Sequence, residues 1–225
     1  EYKPSEMTHQ EWYKLMGATS EAPKTSQPSI LELEELLRTL RKEGFTHVLG
    51  AFLSSGISGF YQNASYLQSE FEDMVVKFPE TFITSSPLGY MIETALDAAD
   101  AGKSFDEIVA QFEYQRENDN AFMLVDDLHW LAKGGRLSRG GELLGTLLNI
   151  KPILQFSEDG KVVVYDKVRT SKKAVSELKK LMLANSDPKA HKVYVLHADA
   201  EDRAKDLYDF AKAHGYDDVE IVTFG

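Results

Sequence analysis

The sequence predicts an α/β fold of mainly parallel sheets, with helices on their faces and one β-hairpin. Three observations lead there. Apolar runs of strand length alternate with amphipathic helical segments almost throughout. Ser-x-x-Glu boxes and glycines bracket several of the helical segments. A single Asp-Gly pair, Asp159-Gly160, interrupts the alternation between two strand-like runs, which marks a hairpin. With 225 residues, 43% of them hydrophobic, the chain is long enough to bury a substantial core.

Taken in order, HQEWYKLM is a short helical segment, and APKTSQPS is a loop because Pro23 and Pro28 both oppose helix. A helix should begin at Ser29, with Ser29 and Glu32 as capping box and Ile30, Leu33, Leu37 and Leu40 on one face, and should end at Gly44. HVLGAFL (47–53) reads as a buried strand, 59–70 as helix, TFIT (81–84) as a short strand, SSPLG as a loop and 88–101 as helix. Ser104 and Glu107 form a second capping box ahead of a helix over 105–118. AFMLV (121–125) is a strand, and a glycine-rich basic stretch with apolar pairs at the spacing of short helices follows. PILQF (152–156) and KVVVYDKVR (161–169) make the hairpin. Helix 171–184, strand 192–198, helix 201–214 and strand 219–224 complete the chain. The glycines of 133–145 mark a boundary between two lobes, 1–130 and 131–225. No internal repeat or low-complexity segment is present.

The net charge of −11 is uneven. Residues 1–150 hold 12 Lys/Arg against 23 Asp/Glu, whereas 151–225 hold 13 of each. An acidic chain repels nucleic acid, so net charge argues against a general DNA- or RNA-binding role. Residues 131–173 run the other way, with nine Lys/Arg and four acids, and fit either a solvated face or a site for an anion or acidic partner. The absence of cysteine excludes disulfides and thiolate metal sites. No run has membrane-span length and no signal-like segment is seen, so the reading is a cytoplasmic protein with at most transient membrane contact. The first residue is Glu1, so either a leader has been removed or the sequence is a fragment.

LSSGISGFYQNASYL (53–67) concentrates hydroxyls and glycines at the end of an apolar run. In an open parallel sheet, ligands bind beyond the carboxyl ends of the strands. A following helix offers unpaired N–H groups and partial positive charge, so Ser55 or Ser58 could hold a phosphate or carboxylate there. A plain helix cap accounts for the same residues, and on chemistry alone it is the commoner use of serine. The same two readings apply to Thr25 and Ser26, while Ser29 is assigned to capping. Neither a P-loop nor a G-x-G-x-x-G fingerprint occurs. Arg136 and Arg139 flank the glycines of KGGRLSRGG, and an arginine fork suits carboxylate or phosphate; for Arg139 surface solvation is preferred. None of the six histidines, His9, His47, His129, His191, His197 and His214, has metal-ligand spacing. His197 reads as an ordinary strand-end residue. Asp126 and Asp127 fit acid–base work or the acidic start of a helix. No Ser–His–Asp set can be read from spacing.

TSQPS (25–29), SSGISGFYQNA (54–64), GGRLSRGG (134–141), LLNIKPIL (147–154) and VRTSKKAV (168–175) together resemble the DegV family, in order and over nearly the whole chain. These are bacterial lipid-binding proteins that include the fatty acid-binding subunit of fatty acid kinase. The resemblance implies a tunnel between two α/β lobes that holds a long-chain fatty acid, with no other cofactor. The protein would be a carrier, not an enzyme, and a separate kinase subunit would supply the ATP. It implies that Thr25 or Ser26 holds the carboxylate from one side and Ser58, or Ser54, Ser55 and Gly59 around it, from the other. Arg136 matches the arginine of the family's GGR motif, near the carboxylate. Arg169 matches an arginine of kinase docking, and Lys172 and Lys173 stand beside it. Family members carry a first strand ending in Thr-Asp-Ser and a last segment with a histidine and a Gly-Pro-Gly turn, and neither is found between Glu1 and Gly225. Threonine is common in the family where Phe60 stands, so Phe60 should reshape the tunnel mouth. The competing readings are a stand-alone phosphotransferase or hydrolase using Ser58 and Asp126, and a regulatory interaction module.

Overall fold

The computed structural model describes residues 7–19, 24–138 and 150–224. Arg139, and the short helical pieces expected between it and residue 149, lie outside the described residues. The elements are α1 (His9–Ala18), α2 (Ile30–Lys42), β1 (His47–Leu49), α3 (Phe60–Ala64) running into a 3-10 turn (Ser65–Ser69), and β2 (Val75–Lys77). Then come α4 (Ser85–Asp100), α5 (Phe105–Asn118), β3 (Phe122–Leu124), α6 (Leu128–Lys133), β4 (Lys151–Phe156) and β5 (Val162–Val168). The chain ends with α7 (Ser171–Asn185), β6 (Val193–His197), α8 (Glu201–Ala213) and β7 (Val219–Thr223).

The α/β architecture holds, with small sheets. β1 pairs with β2, and β6 with β7, both parallel. β4 and β5 form the Asp-Gly hairpin, and β3 pairs antiparallel with β4, so this three-stranded sheet joins strands from both sides of residue 130. β2 was not expected from the sequence. VVK is short, and its Val76 is buried while Val75 and Lys77 are exposed, which is too brief an alternation to stand out.

Four local expectations need correction. HVLGAFL is strand only over its first three residues. Gly50 N–H still reaches the Lys77 carbonyl at 2.9 Å, but Pro79, with no N–H, ends the partner. TFIT is not a strand, because Phe82 sits at φ 55° and breaks the extended path. SSPLG is not a loop but the first turn of α4. Pro87 fits there because first-turn N–H groups have no acceptor within the helix. Ser29 stands at the N-cap of α2 with an extended backbone, but its hydroxyl makes no capping bond. The capping boxes that do form are Ser104–Glu107, as expected, and Thr8–Glu11 on α1.

Apolar faces settle the packing. Leu37 of α2 meets Ala64, Leu67, Phe71, Met74, Val76 and Phe78 in one core. Ile83, Leu88, Met91 and Phe112 form a second, against which Leu49 and Phe156 pack. A third joins Leu128, Leu137, Leu154 and Val162, with Ile57 packed against it. Ile57 belongs to the serine-rich loop, so that loop is anchored in the core beneath the hairpin. A separate clasp links α4 to β6: the Lys192 ammonium lies 5.3 Å from the Tyr90 ring centroid and 5.1 Å from that of Tyr194.

Asp119 follows α5 with Oδ2 buried and without a hydrogen-bond partner among the described residues. Burial pushes its pKa up to about 6, partly opposed by the Asn120 N–H. An unfolded aspartate titrates at about 3.9. The fold therefore binds this proton more tightly than the unfolded chain, so stability falls as pH rises from about 4 to about 6 and stays lower above that. Asp119→Asn should raise the urea midpoint at pH 7 and leave it unchanged at pH 3. Equal midpoints at pH 7 would mean that the carboxyl ionises as freely in the fold as in the unfolded chain.

Candidate functional site

The chain leaves β1 and turns through Ser54–Gly59 into α3. This turn is built around Ser54, which is fully buried. Its hydroxyl donates to the Gly160 carbonyl at 2.6 Å and accepts from Gly56 N–H at 3.2 Å. Its carbonyl accepts from the N–H groups of Ile57 and Ser58, both at 3.1 Å. Its own N–H donates to the Ile83 carbonyl at 3.0 Å. The approach to the hairpin tip is so close that a Cβ on Gly56 would lie 2.1 Å from the Gly160 carbonyl oxygen. A Cβ on Gly160 would lie 2.2 Å from Ser54 Oγ, and Gly160 also sits at φ 70°. Only glycine serves at both places.

The backbone amides of this loop are largely committed within the protein. Ser55 N–H donates to Glu80 Oε1 at 3.2 Å, and the Thr81 and Phe82 N–H groups donate to the same oxygen at 3.0 and 3.5 Å. Phe60 N–H donates to Ser58 Oγ at 3.3 Å. An anion at this turn would thus be met by hydroxyls more than by amides. The Ser58 hydroxyl donates to no group among the described residues, and Ser55 and Ser58 are half-buried.

The structure draws the other expected residues to the same place. Arg136 Nη2 donates to Thr25 Oγ1 at 3.2 Å, Nε to the Ile57 carbonyl at 3.2 Å, and Nη1 to the Gly134 carbonyl at 2.7 Å. Every acceptor is neutral, so the exposed guanidinium has no carboxylate partner among the described residues. Gly59 faces the Thr25–Ser29 loop, since a Cβ there would stand 3.6 Å from Gln27 Oε1. Ser26 is exposed next to Thr25. Thr25, Ile57 and Gly134 therefore hold one exposed cation against the serine loop, and Gly59 of that loop faces the Thr25 segment. Ser54 stands apart from them, because its hydroxyl is buried and tied to the hairpin. Phe60 is turned inward; its ring meets Phe52 edge-on with centroids 4.9 Å apart.

Arg169, Lys172 and Lys173 lie elsewhere. All three are exposed, Arg169 just past the end of β5 and the two lysines in the first turn of α7, which Thr170 caps by accepting from Lys173 N–H at 3.2 Å. The Gly160 turn enters β5 at one end and Arg169 leaves it at the other, so about 20 Å of strand separates the two groups. Asp126 belongs to the far end as well. It pairs with Arg203, Nη2 to Oδ2 at 2.6 Å, and with Lys151 at 3.2 Å. The Arg203 hydrogen bond, opposed by partial burial and aided by Lys151, holds its carboxyl below the usual carboxylate range. Asp127 caps α6 through His129 N–H at 2.8 Å. Both aspartates thus serve structure, and neither reaches the serine loop. No cluster of His, Asp or Glu among the described residues could hold a metal.

Sequence reasoning missed Glu80, and it missed that the Asp-Gly turn is the floor of the serine loop. Glu80 looked like one acid among many in the acidic half. Tyr61 lies in the same electrostatic neighbourhood; its hydroxyl pKa is pushed up first by burial and then by the Glu80 charge, with Arg116 opposing.

An α/β fold of small sheets with a serine-rich, arginine-bearing turn at a strand end defines the class. The chain belongs to the DegV family, whose model, described as "Uncharacterised protein, DegV family", matches residues 1–225. It is 64% identical over 226 residues to the DegV domain-containing protein YqaC of Lactococcus lactis, covering 100% of this chain and 80% of that one. Among solved structures, a fatty acid binding DegV family protein from Streptococcus agalactiae matches with a TM-score of 0.91 and 46% identity, over 97% of this chain and 78% of that one. DegV of Bacillus subtilis, described as a fatty acid binding protein, matches with a TM-score of 0.80 and 32% identity, over 95% and 76%.

If Ser54 and Gly160 share one contact, losing either should cost the same interaction. Gly160→Ala should destabilise by roughly 2–3 kcal/mol and Ser54→Ala by roughly 1–3 kcal/mol. The double variant should lose clearly less than the sum. Additive losses in urea unfolding would show that the two sites do not meet.

Proposed function

We propose that this protein binds a long-chain fatty acid between two lobes and presents the carboxylate to a separate ATP-bearing kinase subunit in the cytoplasm. The observation that carries the reading is Arg136. A guanidinium that bridges Thr25, the serine loop and Gly134 finds only neutral acceptors among the described residues, which suits an anionic head group. In this reading Thr25, which the guanidinium meets, and its neighbour Ser26 hold the carboxylate from one side, and Ser55 and Ser58 of the loop that Arg136 meets at Ile57 hold it from the other. Similar proteins described as fatty acid binding support the same ligand class.

The energetics are coherent. Each buried methylene contributes about 0.8 kcal/mol, so a ~16-carbon tail supplies on the order of 10 kcal/mol before ordering costs. The charged end must then be hydrogen-bonded or left near water. An exposed arginine among half-buried hydroxyls provides both. The carrier needs no base beside its serines, because the phosphate donor sits on the partner. The hydrolase alternative would need Ser58 and Asp126 together, and they lie at opposite ends of β5.

Titration with hexadecanoate tests the head-group assignment. Arg136→Ala and Ser58→Ala should each weaken binding by roughly 1.5–3 kcal/mol without lowering the melting temperature. Binding equal to wild type in the double variant would remove these residues from the site.

Docking is proposed on Arg169, Lys172 and Lys173. Cations at the start of α7 oppose its dipole, and its first turn contains no acid. They add nothing to helix stability and suit an acidic partner surface. A partner seated there must span the ~20 Å along β5 to reach the carboxylate. Arg169→Ala should leave hexadecanoate binding intact and slow acyl-phosphate formation by the kinase subunit, with the deficit shrinking at high salt. Equal rates at low salt would take Arg169 off the docking surface.

A further inference from the structure

We infer that Glu80 is a positioning residue for the head-group site: its side chain fills a nest of three backbone N–H groups and so fixes the serine loop that meets the ligand. The inference rests on the fatty acid reading above and deepens it.

The geometry is local and specific. One oxygen, Oε1, accepts from Ser55 on the serine loop and from Thr81 and Phe82 on the facing segment. Successive N–H groups converging on one point make an anion-binding concavity. Here the protein supplies the anion itself. The facing segment is also bound to the loop at two further points. The buried Thr81 hydroxyl donates to the Phe52 carbonyl at 2.7 Å, and Ser54 N–H donates to the Ile83 carbonyl at 3.0 Å.

Phe82 pays a conformational cost in this arrangement. At φ 55° it occupies the left-handed region, which a bulky residue adopts only when its surroundings require it. The Glu80 bond to its N–H is one such constraint. The Arg116 guanidinium, 5.9 Å from the ring centroid, is a second. The turned ring packs on the hairpin tip, where its Cδ1 stands 2.7 Å from the position a Gly160 Cβ would take. Glu80 thus joins three pieces: the serine loop, the segment 81–83 and, through Phe82, the hairpin.

This has a consequence for recognition. Because Glu80 occupies the amides, the ligand carboxylate is left to the hydroxyls and Arg136. What Glu80 provides is reach and an acceptor at one point, not charge at the ligand. Substitutions can separate those properties. Glu80→Gln keeps the length and a carbonyl acceptor but loses the charge. Glu80→Asp keeps the charge but is one methylene too short to serve the three amides.

The test combines hexadecanoate titration with backbone amide exchange on the two variants and wild type. Glu80→Gln should bind within about threefold of wild type and retain protection at Ser55, Thr81 and Phe82. Glu80→Asp should bind about tenfold more weakly and lose protection at those amides. The opposite order, with Glu80→Asp like wild type and Glu80→Gln weakened, would overturn the inference in favour of a charge role. Retained protection at the three amides in Glu80→Asp would overturn it as well, whether or not lipid binds. Wild type that binds no hexadecanoate would instead sink the fatty acid reading, and the exchange data would still decide the role of Glu80.

Discussion

The close approach of the Ser54–Gly56 turn to the hairpin tip at Gly160 is the constraint from which the site follows. A buried hydroxyl donating at 2.6 Å to a carbonyl over a hundred positions away fixes the turn after β1 against the β4–β5 turn. Neither Gly56 nor Gly160 has room for a side chain. Ile57, the next residue, can then insert its side chain beside Leu137, Leu154 and Val162. With Ile57 held, its carbonyl is in place for Arg136, and Arg136 can reach Thr25. Moving the contact at Gly160 would displace each of these in turn.

The site so formed is an unusual distribution of satisfied and unsatisfied groups. Backbone amides near a strand end are ready donors for an anion, yet here Glu80 and the Ser54 and Ser58 oxygens take most of them. What remains open among the described residues is a guanidinium with only neutral acceptors and hydroxyls that can still donate. Such a set holds a carboxylate without burying it deeply, and a carrier needs its cargo's reactive end to stay accessible. The separation along β5 gives the proposed division of labour a physical scale. On that proposal the carboxylate sits at one end of the strand, and the basic surface of Arg169, Lys172 and Lys173 stands at the other.

Much of this was legible in the sequence where the signal is local. Helical periodicity placed the helices α2, α5, α7 and α8, Asp159-Gly160 placed the hairpin, and Ser104–Glu107 placed a cap. Family resemblance, not local chemistry, singled out Thr25, Arg136 and the serine loop, and Arg136 does meet Thr25 and the loop's Ile57. The illegible parts depend on distant partners. Ser54 looked like its neighbours Ser55 and Ser58, and only the hairpin beneath it separates their roles. TFIT has strand composition, but the pull of Glu80 on two of its amides and the left-handed Phe82 make it a turn-bearing connection. Ser29 and Glu32 have the spacing of a capping box and do not form one. Asp126 gave no sign of Arg203, since nothing in the spacing of residues 77 positions apart announces an ion pair.

Native mass spectrometry of the protein purified from cells tests the central claim most directly. If an acyl chain occupies the molecule with its carboxylate at Arg136, the protein should carry a co-purified mass of about 250–290 Da, the range expected for a buried tail on this scale. That mass should be released on denaturation as a free carboxylic acid. Protein that shows only its own mass, and stays so after incubation with hexadecanoate, would contradict the account.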